Sequence, residues 1–373
     1  MSRVAELAAR LRASVTRPWT LMEVCGGQTH AIVRWGLDQL LPEGLRLIHG
    51  PGCPVCVTPA ATLDAALALA RRPEVILCSY GDMLRVPGSA PGDDLLGVRA
   101  AGGDVRLLTS PLQAIALARE NAGRQVVFLA VGFETTAPAT ALLARQALAL
   151  GLANLSLLNA HVRVPPAMAA ILEAPGNQVQ GFLAAGHVCT VMGLQELEPL
   201  AAGHGVPVVA TGFAPEELLL GLWRCVQLLE AGTPAVVNAY GQVVRQHGNP
   251  RARALLQEVF AVVDQPWRGL GVIPGGGLGL RPAYAALDAR QRFGLCDQAP
   301  GSGGETTSRD DDGVSECIAG LILQGRAVPT DCPAFGGRCR PEHPLGAPMV
   351  SSEGACAAYH RYRSAAPTTA AAL

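Results

Sequence analysis

The sequence predicts an α/β protein made of two similar Rossmann-like domains with parallel sheets, followed by a small, irregular C-terminal region. Three observations carry that expectation. Short β-branched runs alternate with longer Ala/Leu-rich stretches through residue 270 or so, the pattern of a parallel sheet flanked by helices. One local unit occurs twice, in FLAVGFETTAPATALLARQAL from Phe128 and VVATGFAPEELLLGLWRCV from Val208. Each reads as an apolar strand, a Gly-Phe turn and a helix with proline in its first turn, where its fixed φ suits helix entry. Beyond Trp267 the periodicity fades into the glycine-rich GLGVIPGGGLGL. The expected division is a first domain over 1–150, a second over 151–270 and a third over 271–373.

Along the chain, MSRVAELAARLRASV reads as an amphipathic helix with Val4, Leu7 and Leu11 on one face. Strands are expected over 20–24, 74–79, 125–131, 154–158, 179–184 and 206–210. A polar stretch over 298–313 is expected to be mobile and the tail SAAPTTAAAL disordered.

Composition narrows the chemistry. The chain has 373 residues and a formal charge of −1, and all 29 of its Lys-plus-Arg total are arginine. Without lysine there is no Walker A phosphate ligand, no Schiff base and no lysine general base. The scattered arginines give no nucleic-acid footprint, and no apolar run approaches the ~18 residues of a membrane span. With no signal-peptide pattern at the N-terminus, a cytoplasmic location is expected. In a reducing compartment the 11 cysteines read as buried thiols, metal ligands or redox groups rather than structural disulfides.

Four constellations follow. In LMEVCGGQTHAIVRWGLDQLL, Cys25 stands at the carboxyl end of a strand and before a helix that carries His30 in its first turn. Ligands bind at such strand ends, and the positive end of the helix dipole favours a thiolate. In HGPGCPVCVTP, Cys53 and Cys56 form a C-x-x-C beside His49, suited to a reversible disulfide or to metal ligation. Glu134, His161 and His187 follow other strands and converge on the same edge as Cys25, Glu134 as an acid or base and the histidines as proton carriers or ligands. Finally, Cys317, Cys332, Cys339 and Cys356 are separated by 14, 6 and 16 residues, a wide spacing that matches an iron-sulfur cluster better than paired zinc knuckles. Cys78, Cys189, Cys225 and Cys296 read as packing thiols. The usual C-x-x-x-C-x-x-C of radical S-adenosylmethionine enzymes is missing.

Taken together, MEVCGGQTHAI, LLPEGLRLIHGPGCPVCVTP, YGDMLRVPGS, VGFETTAPATA, AGHVCTVMG, WRGLGVIP and DCPAFGGRC through MVSSEGACAAY resemble the HypD family of hydrogenase maturation factors, over nearly the whole chain. The resemblance implies two similar α/β domains and a third holding a [4Fe-4S] cluster on Cys317, Cys332, Cys339 and Cys356. It implies assembly, with the chaperone HypC and the cyanide donor HypE, of an iron carrying CN and CO ligands. Cys25 would hold that iron, sharing it with a cysteine of HypC, and Cys53 and Cys56 would be a redox pair. His30, Glu134 and His187 fall within the family motifs. Electrons are expected to pass from the cluster through Cys53 and Cys56 toward iron at Cys25. The protein would then be an assembly platform with redox function, monomeric when free, rather than a conventional turnover enzyme. A thiol-disulfide oxidoreductase with a structural metal and a non-redox docking scaffold are the alternatives.

Overall fold

A computed structural model describes residues 2–90, 92–295 and 317–363. Cys296, the polar stretch over 298–313 and the tail over 364–373 lie outside the described residues. Two parallel sheets organise the fold. The larger contains β1 (Trp19–Glu23), β2 (Leu45–His49), β7 (Gly181–Ala185), β8 (Val208–Thr211) and β9 (Val236–Asn238), in the order β2-β1-β7-β8-β9. The smaller contains β3 (Val75–Ser79), β4 (Val105–Leu107), β5 (Gln125–Gly132) and β6 (Leu155–His161), in the order β4-β3-β5-β6. Every residue of β3 and β7 is buried, as expected of parallel strands covered by helices on both faces.

The repeated unit supplies one junction to each sheet: β5 leads into helix Ala137–Ala149 and β8 into helix Pro215–Ala231. The N-terminal helix Arg3–Ser14 buries Leu7, Ala8 and Leu11, and Leu7 and Leu11 share an apolar cluster with Leu219, Leu222 and Val226 of helix Pro215–Ala231. The six expected strands all form, with ends shifted by a few residues.

The sheets are interleaved in sequence, so a linear cut at 150 does not separate them. β1 and β2 join a sheet otherwise drawn from 181–238, and β6, beyond residue 150, completes the smaller one. Local patterning identifies strands but carries no information about which sheet recruits them. The glycine-rich segment also differs from expectation: β10 (Phe260–Trp267) and β11 (Gly271–Leu280) form an antiparallel hairpin. Its glycines oppose larger partners, Gly277 facing Val263 and Gly279 facing Ala261, and the Trp267 indole N–H donates to the Gly276 carbonyl at 3.0 Å. A bridge between Val162 and Gly277 continues from the end of β6 to this hairpin.

Candidate functional site

β1 delivers Glu23, Val24 and Cys25 to the carboxyl edge of the larger sheet. Its parallel register with β2 sets Glu23 opposite His49, and the chain leaving β2 turns across that edge. The Gly50 N–H donates to the Glu23 carbonyl at 2.8 Å and the Gly26 N–H to the Gly52 carbonyl at 2.7 Å. Gly52 is glycine for want of space: a Cβ there would lie 2.3 Å from the Cys25 nitrogen and 2.4 Å from its Cα. The loop bearing the C-x-x-C therefore rests directly on Cys25. Cys53 and Cys56 are joined as a disulfide with Cα atoms 5.2 Å apart. Both are buried, and the Cys56 N–H points at Cys53 Sγ at 3.1 Å.

Cys25 ends extended backbone and starts helix Gly26–Trp35. The helix dipole led to an expected thiolate; the structure corrects this. The protein packed around Cys25 pushes its thiol up to about 12, and the nearby Glu23 and Glu353 carboxyls add to the rise. Desolvation outweighs the dipole, which is weak one position before the first turn and cannot replace lost water.

Glu23 is fully buried and accepts three hydrogen bonds: from the Cys25 N–H at 2.9 Å, from His49 Nδ1 at 2.7 Å and from the Thr29 hydroxyl. Gln28, also buried, donates its amide to the Ala184 and Thr211 carbonyls, at the ends of β7 and β8. His187, just past β7, is exposed and stacks on Phe213 with ring centres 4.0 Å apart. Phe213 in turn lies over Gly27. Partial burial lowers the His187 pKa.

The C-terminal segment closes over this edge. His30 lies between the Ser352 carbonyl at 3.1 Å and the Tyr362 hydroxyl at 3.1 Å. Glu353 leaves no room for a side chain at Gly26, where a Cβ would fall 2.5 Å from its own. Helix Ala355–Arg363 carries Cys356 and, with Cys317, Cys332 and Cys339, lines one cavity together with Ile322, Phe335 and Met349. Burial holds the Cys356 thiol well above its usual range, and the other three sulfurs push in the same direction. The Leu345 N–H points at Cys339 Sγ at 3.4 Å, and a Cβ at Gly346 would lie 2.7 Å from Cys317 Sγ. Among the described residues, no group of three or more His, Cys, Asp or Glu side chains is arranged to hold a single metal ion.

Glu134 and His161 belong to the other sheet, following β5 and ending β6. The expectation that they share the sheet edge of Cys25 is corrected: the approach is between two sheets. Phe133, Val162, Cys189 and Cys25 meet in one apolar cluster; burial pushes the Cys189 thiol up to about 12, as suits the packing thiol expected there, and the nearness of Glu134 and Cys25 acts in the same direction. Glu134 Oε1 accepts from the Val164 N–H at 3.0 Å, while its buried Oε2 has no hydrogen-bond partner among the described residues. Burial raises its carboxyl to about 7. Cys78 and Cys225 are fully buried within apolar clusters, as expected.

Sequence reasoning passed over Glu23, Tyr359 and Tyr362. The signals were present: a carboxylate at the end of the buried strand Trp19–Glu23, directly before Val24 and Cys25, and two tyrosines three apart on the helix that bears Cys356.

Two parallel α/β sheets with a cysteine and a disulfide at their meeting edges, and four cysteines around a separate cavity, define a thiol-centred α/β protein. The HypD family model, described as "Hydrogenase formation hypA family", matches residues 2–363. Proteins called hydrogenase maturation factor HypD are 44% identical over 98% of this chain and 95% of theirs in Rhodobacter capsulatus. The corresponding figures are 47% over 96% and 93% in Azotobacter vinelandii, and 44% over 96% and 93% in Escherichia coli. The chain belongs to the HypD family. Among the described residues no helix is long and apolar enough to cross a membrane.

Proposed function

We propose that this chain acts in hydrogenase maturation as a platform on which, with HypC and with cyanide from HypE, an iron carrying CN and CO ligands is assembled at Cys25. The observation that supports this most directly is the contact of the C-x-x-C loop with Cys25, backbone on backbone at Gly52. Soft thiolate suits low-spin iron. Since Cys25 is protonated when empty, the incoming iron substrate displaces that proton, and metal capture is coupled to proton release. Cys53 and Cys56, as a dithiol, give up two electrons and two protons when their S–S bond closes.

The cysteine pocket fits a [4Fe-4S] cluster. Four thiols surround one cavity instead of converging on a point, an apolar wall excludes water, and an N–H is directed at a sulfur, as hydrogen bonds to cluster thiolates require. Cys317, Cys332, Cys339 and Cys356 would hold the cluster, which supplies electrons singly. Glu134, with its raised carboxyl beside Cys189, can hold a proton near neutrality and give it up where the two sheets meet. His30 holds the C-terminal segment in place. An independent oxidoreductase acting on generic disulfides fits less well, because both sulfur-bearing residues of the pair are buried and exchange requires access.

Mössbauer and infrared spectroscopy of the complex with HypC test this reading. Cyanide and carbonyl stretches from a mononuclear iron are expected, lost in Cys25→Ala while the brown absorbance of the cluster persists. Loss of both signals together would refute separate sites. Maturation that survives Cys53→Ala and Cys56→Ala would leave a docking scaffold.

A further inference from the structure

Two His–Tyr contacts join the helix of the cysteine pocket to the segments around Cys25. Tyr359 and Tyr362 lie three apart on helix Ala355–Arg363, on one face. The Tyr362 hydroxyl meets His30 Nε2 at 3.1 Å and the Tyr359 hydroxyl meets His49 Nε2 at 3.3 Å. Both ring pairs are edge-on, with centres 5.2 and 5.6 Å apart. Glu23 is the acceptor at His49 Nδ1, so Nδ1 carries a proton; a neutral imidazole then accepts from the Tyr359 hydroxyl at Nε2 and an imidazolium donates to it, and the link is made in either form. The chain then runs from Tyr359 through His49 to Glu23, and from Glu23 to the backbone N–H of Cys25.

Its members are all buried, Glu23 at 0%, Tyr359 at 4% and His49 at 6% exposure, so water cannot replace a lost partner. Tyr359 sits three residues after Cys356, and the two side chains interact electrostatically. One end of the chain therefore stands on the helix that brings Cys356 to the cysteine pocket, about one turn beyond it, and the other fixes the peptide that places the Cys25 sulfur.

We propose that Tyr359 and His49 are positioning residues for Cys25, linking the state of the four-cysteine pocket to the placement of the Cys25 thiol through Glu23. Any shift of helix Ala355–Arg363 that accompanies filling or reduction of the pocket is passed to Cys25 as a change in the Glu23 anchor. The parallel clasp of Tyr362 on His30 meets the same face of the helix one turn further on, but it ends on the His30 ring and the Ser352 carbonyl rather than on the Cys25 peptide. This proposal rests on Cys25 being the working thiol and on the pocket holding iron and sulfide.

The test is the rate at which iodoacetamide alkylates Cys25 in the full-length chain, followed by peptide mass spectrometry, with fully buried Cys225 as internal control. Rates are compared before and after iron is removed from the pocket by a chelator under reducing conditions. In the parent the rate changes on iron removal. In Tyr359→Phe and in His49→Gln that change is lost, and the starting rate shifts by roughly threefold to tenfold, the worth of one hydrogen bond. The double variant matches the single ones, because both cut the same chain. Tyr362→Phe retains the response to iron. A folded Tyr359→Phe protein that still responds like the parent, or effects of the two substitutions that add, overturns the proposal. Should His49→Gln fail to fold, Tyr359→Phe, which deletes one oxygen, decides alone. The readout needs no iron at Cys25: if Cys25→Ala still binds substrate iron, the assembly reading falls while the coupling stands or falls on the alkylation rates.

Discussion

The carboxyl edges of the two sheets each bury a glutamate and a histidine, and they treat them in opposite ways. At the larger sheet, Glu23 receives three donors and His49 uses both ring nitrogens. At the smaller one, Glu134 Oε2 and His161 Nε2 have no hydrogen-bond partner among the described residues, and the His161 Nδ1–H donates to the Ala130 carbonyl at 2.9 Å. The consequences are visible in the titration behaviour of the second pair: burial raises Glu134 to about 7 and lowers His161 to about 4. A saturated network fixes geometry, as a thiol that must meet a metal requires. An open one stores strain in the form of unsatisfied groups, which can accept a proton or a ligand.

The largest effect is expected where the saturated edge has no slack. Gly52→Ala would drive a methyl group into the Cys25 backbone, where flexible side chains cannot yield, at a cost of about 3 kcal/mol or more. Urea unfolding should show the loss, and alkylation should show Cys25 and the C-x-x-C loop no longer in register.

The open edge should reveal itself through pH. For His161 the folded pKa lies below the unfolded value of 6.5. Between 6.5 and about 4 the unfolded chain binds a proton that the folded one refuses, so stability falls as pH drops through this window, by up to about 3 kcal/mol. For Glu134 the folded pKa lies above the unfolded 4.5. The folded chain then keeps a proton that the unfolded one has released, and stability falls as pH rises from 4.5 through about 7, by a similar amount. His161→Gln should flatten the acid limb of a stability-pH curve, and Glu134→Gln should gain on the parent at pH 8 relative to pH 5. Parallel curves for either variant and the parent would show that the bare atoms are satisfied in solution.

At the saturated edge, Glu23→Gln tests the opposite property. An amide accepts at one end only, so at least one of three donors is left without an acceptor, at about 1–3 kcal/mol. The expected result is a lower urea midpoint together with altered Cys25 alkylation; a change in stability without a change at Cys25 would reduce Glu23 to a packing role.

Much of this arrangement was legible in the sequence, and the remainder was hidden for identifiable reasons. The strand-turn-helix junctions at Gly132-Phe133 and Gly212-Phe213 are written locally, and so is the strand that delivers Cys25. Sheet membership is not: that β1 lies between β2 and β7 follows from packing across some 160 residues. The identical-looking junctions also diverge in three dimensions. Glu134 reaches across to the Val164 N–H at the start of another helix, whereas Glu217 folds back to cap its own helix, accepting from the Phe213 and Ala214 N–H groups at 2.9 and 3.1 Å. The Cys25 thiol was misjudged because a helix dipole can be read from sequence position, while desolvation depends on what the rest of the chain brings alongside. The tyrosines of helix Ala355–Arg363 were missed since their partners, His30 and His49, lie more than 300 residues away.

The smallest expected effect discriminates most finely between the two edges. Thr29→Val removes one of the three donors to Glu23 while keeping the β-branched shape of a buried residue in helix Gly26–Trp35. The carboxylate retains the Cys25 N–H and His49 Nδ1, one on each oxygen, so neither oxygen is left bare and the cost should be about 1 kcal/mol, the net worth of a single hydrogen bond. A carboxylate already held at both oxygens has no reason to move, and the Cys25 alkylation rate should stay near that of the parent even as the urea midpoint falls. If the loss instead approaches that of Glu23→Gln, or if Cys25 changes reactivity, the hydroxyl of Thr29 is the principal anchor. The saturated edge would then depend on a contact within its own helix more than on the link to His49.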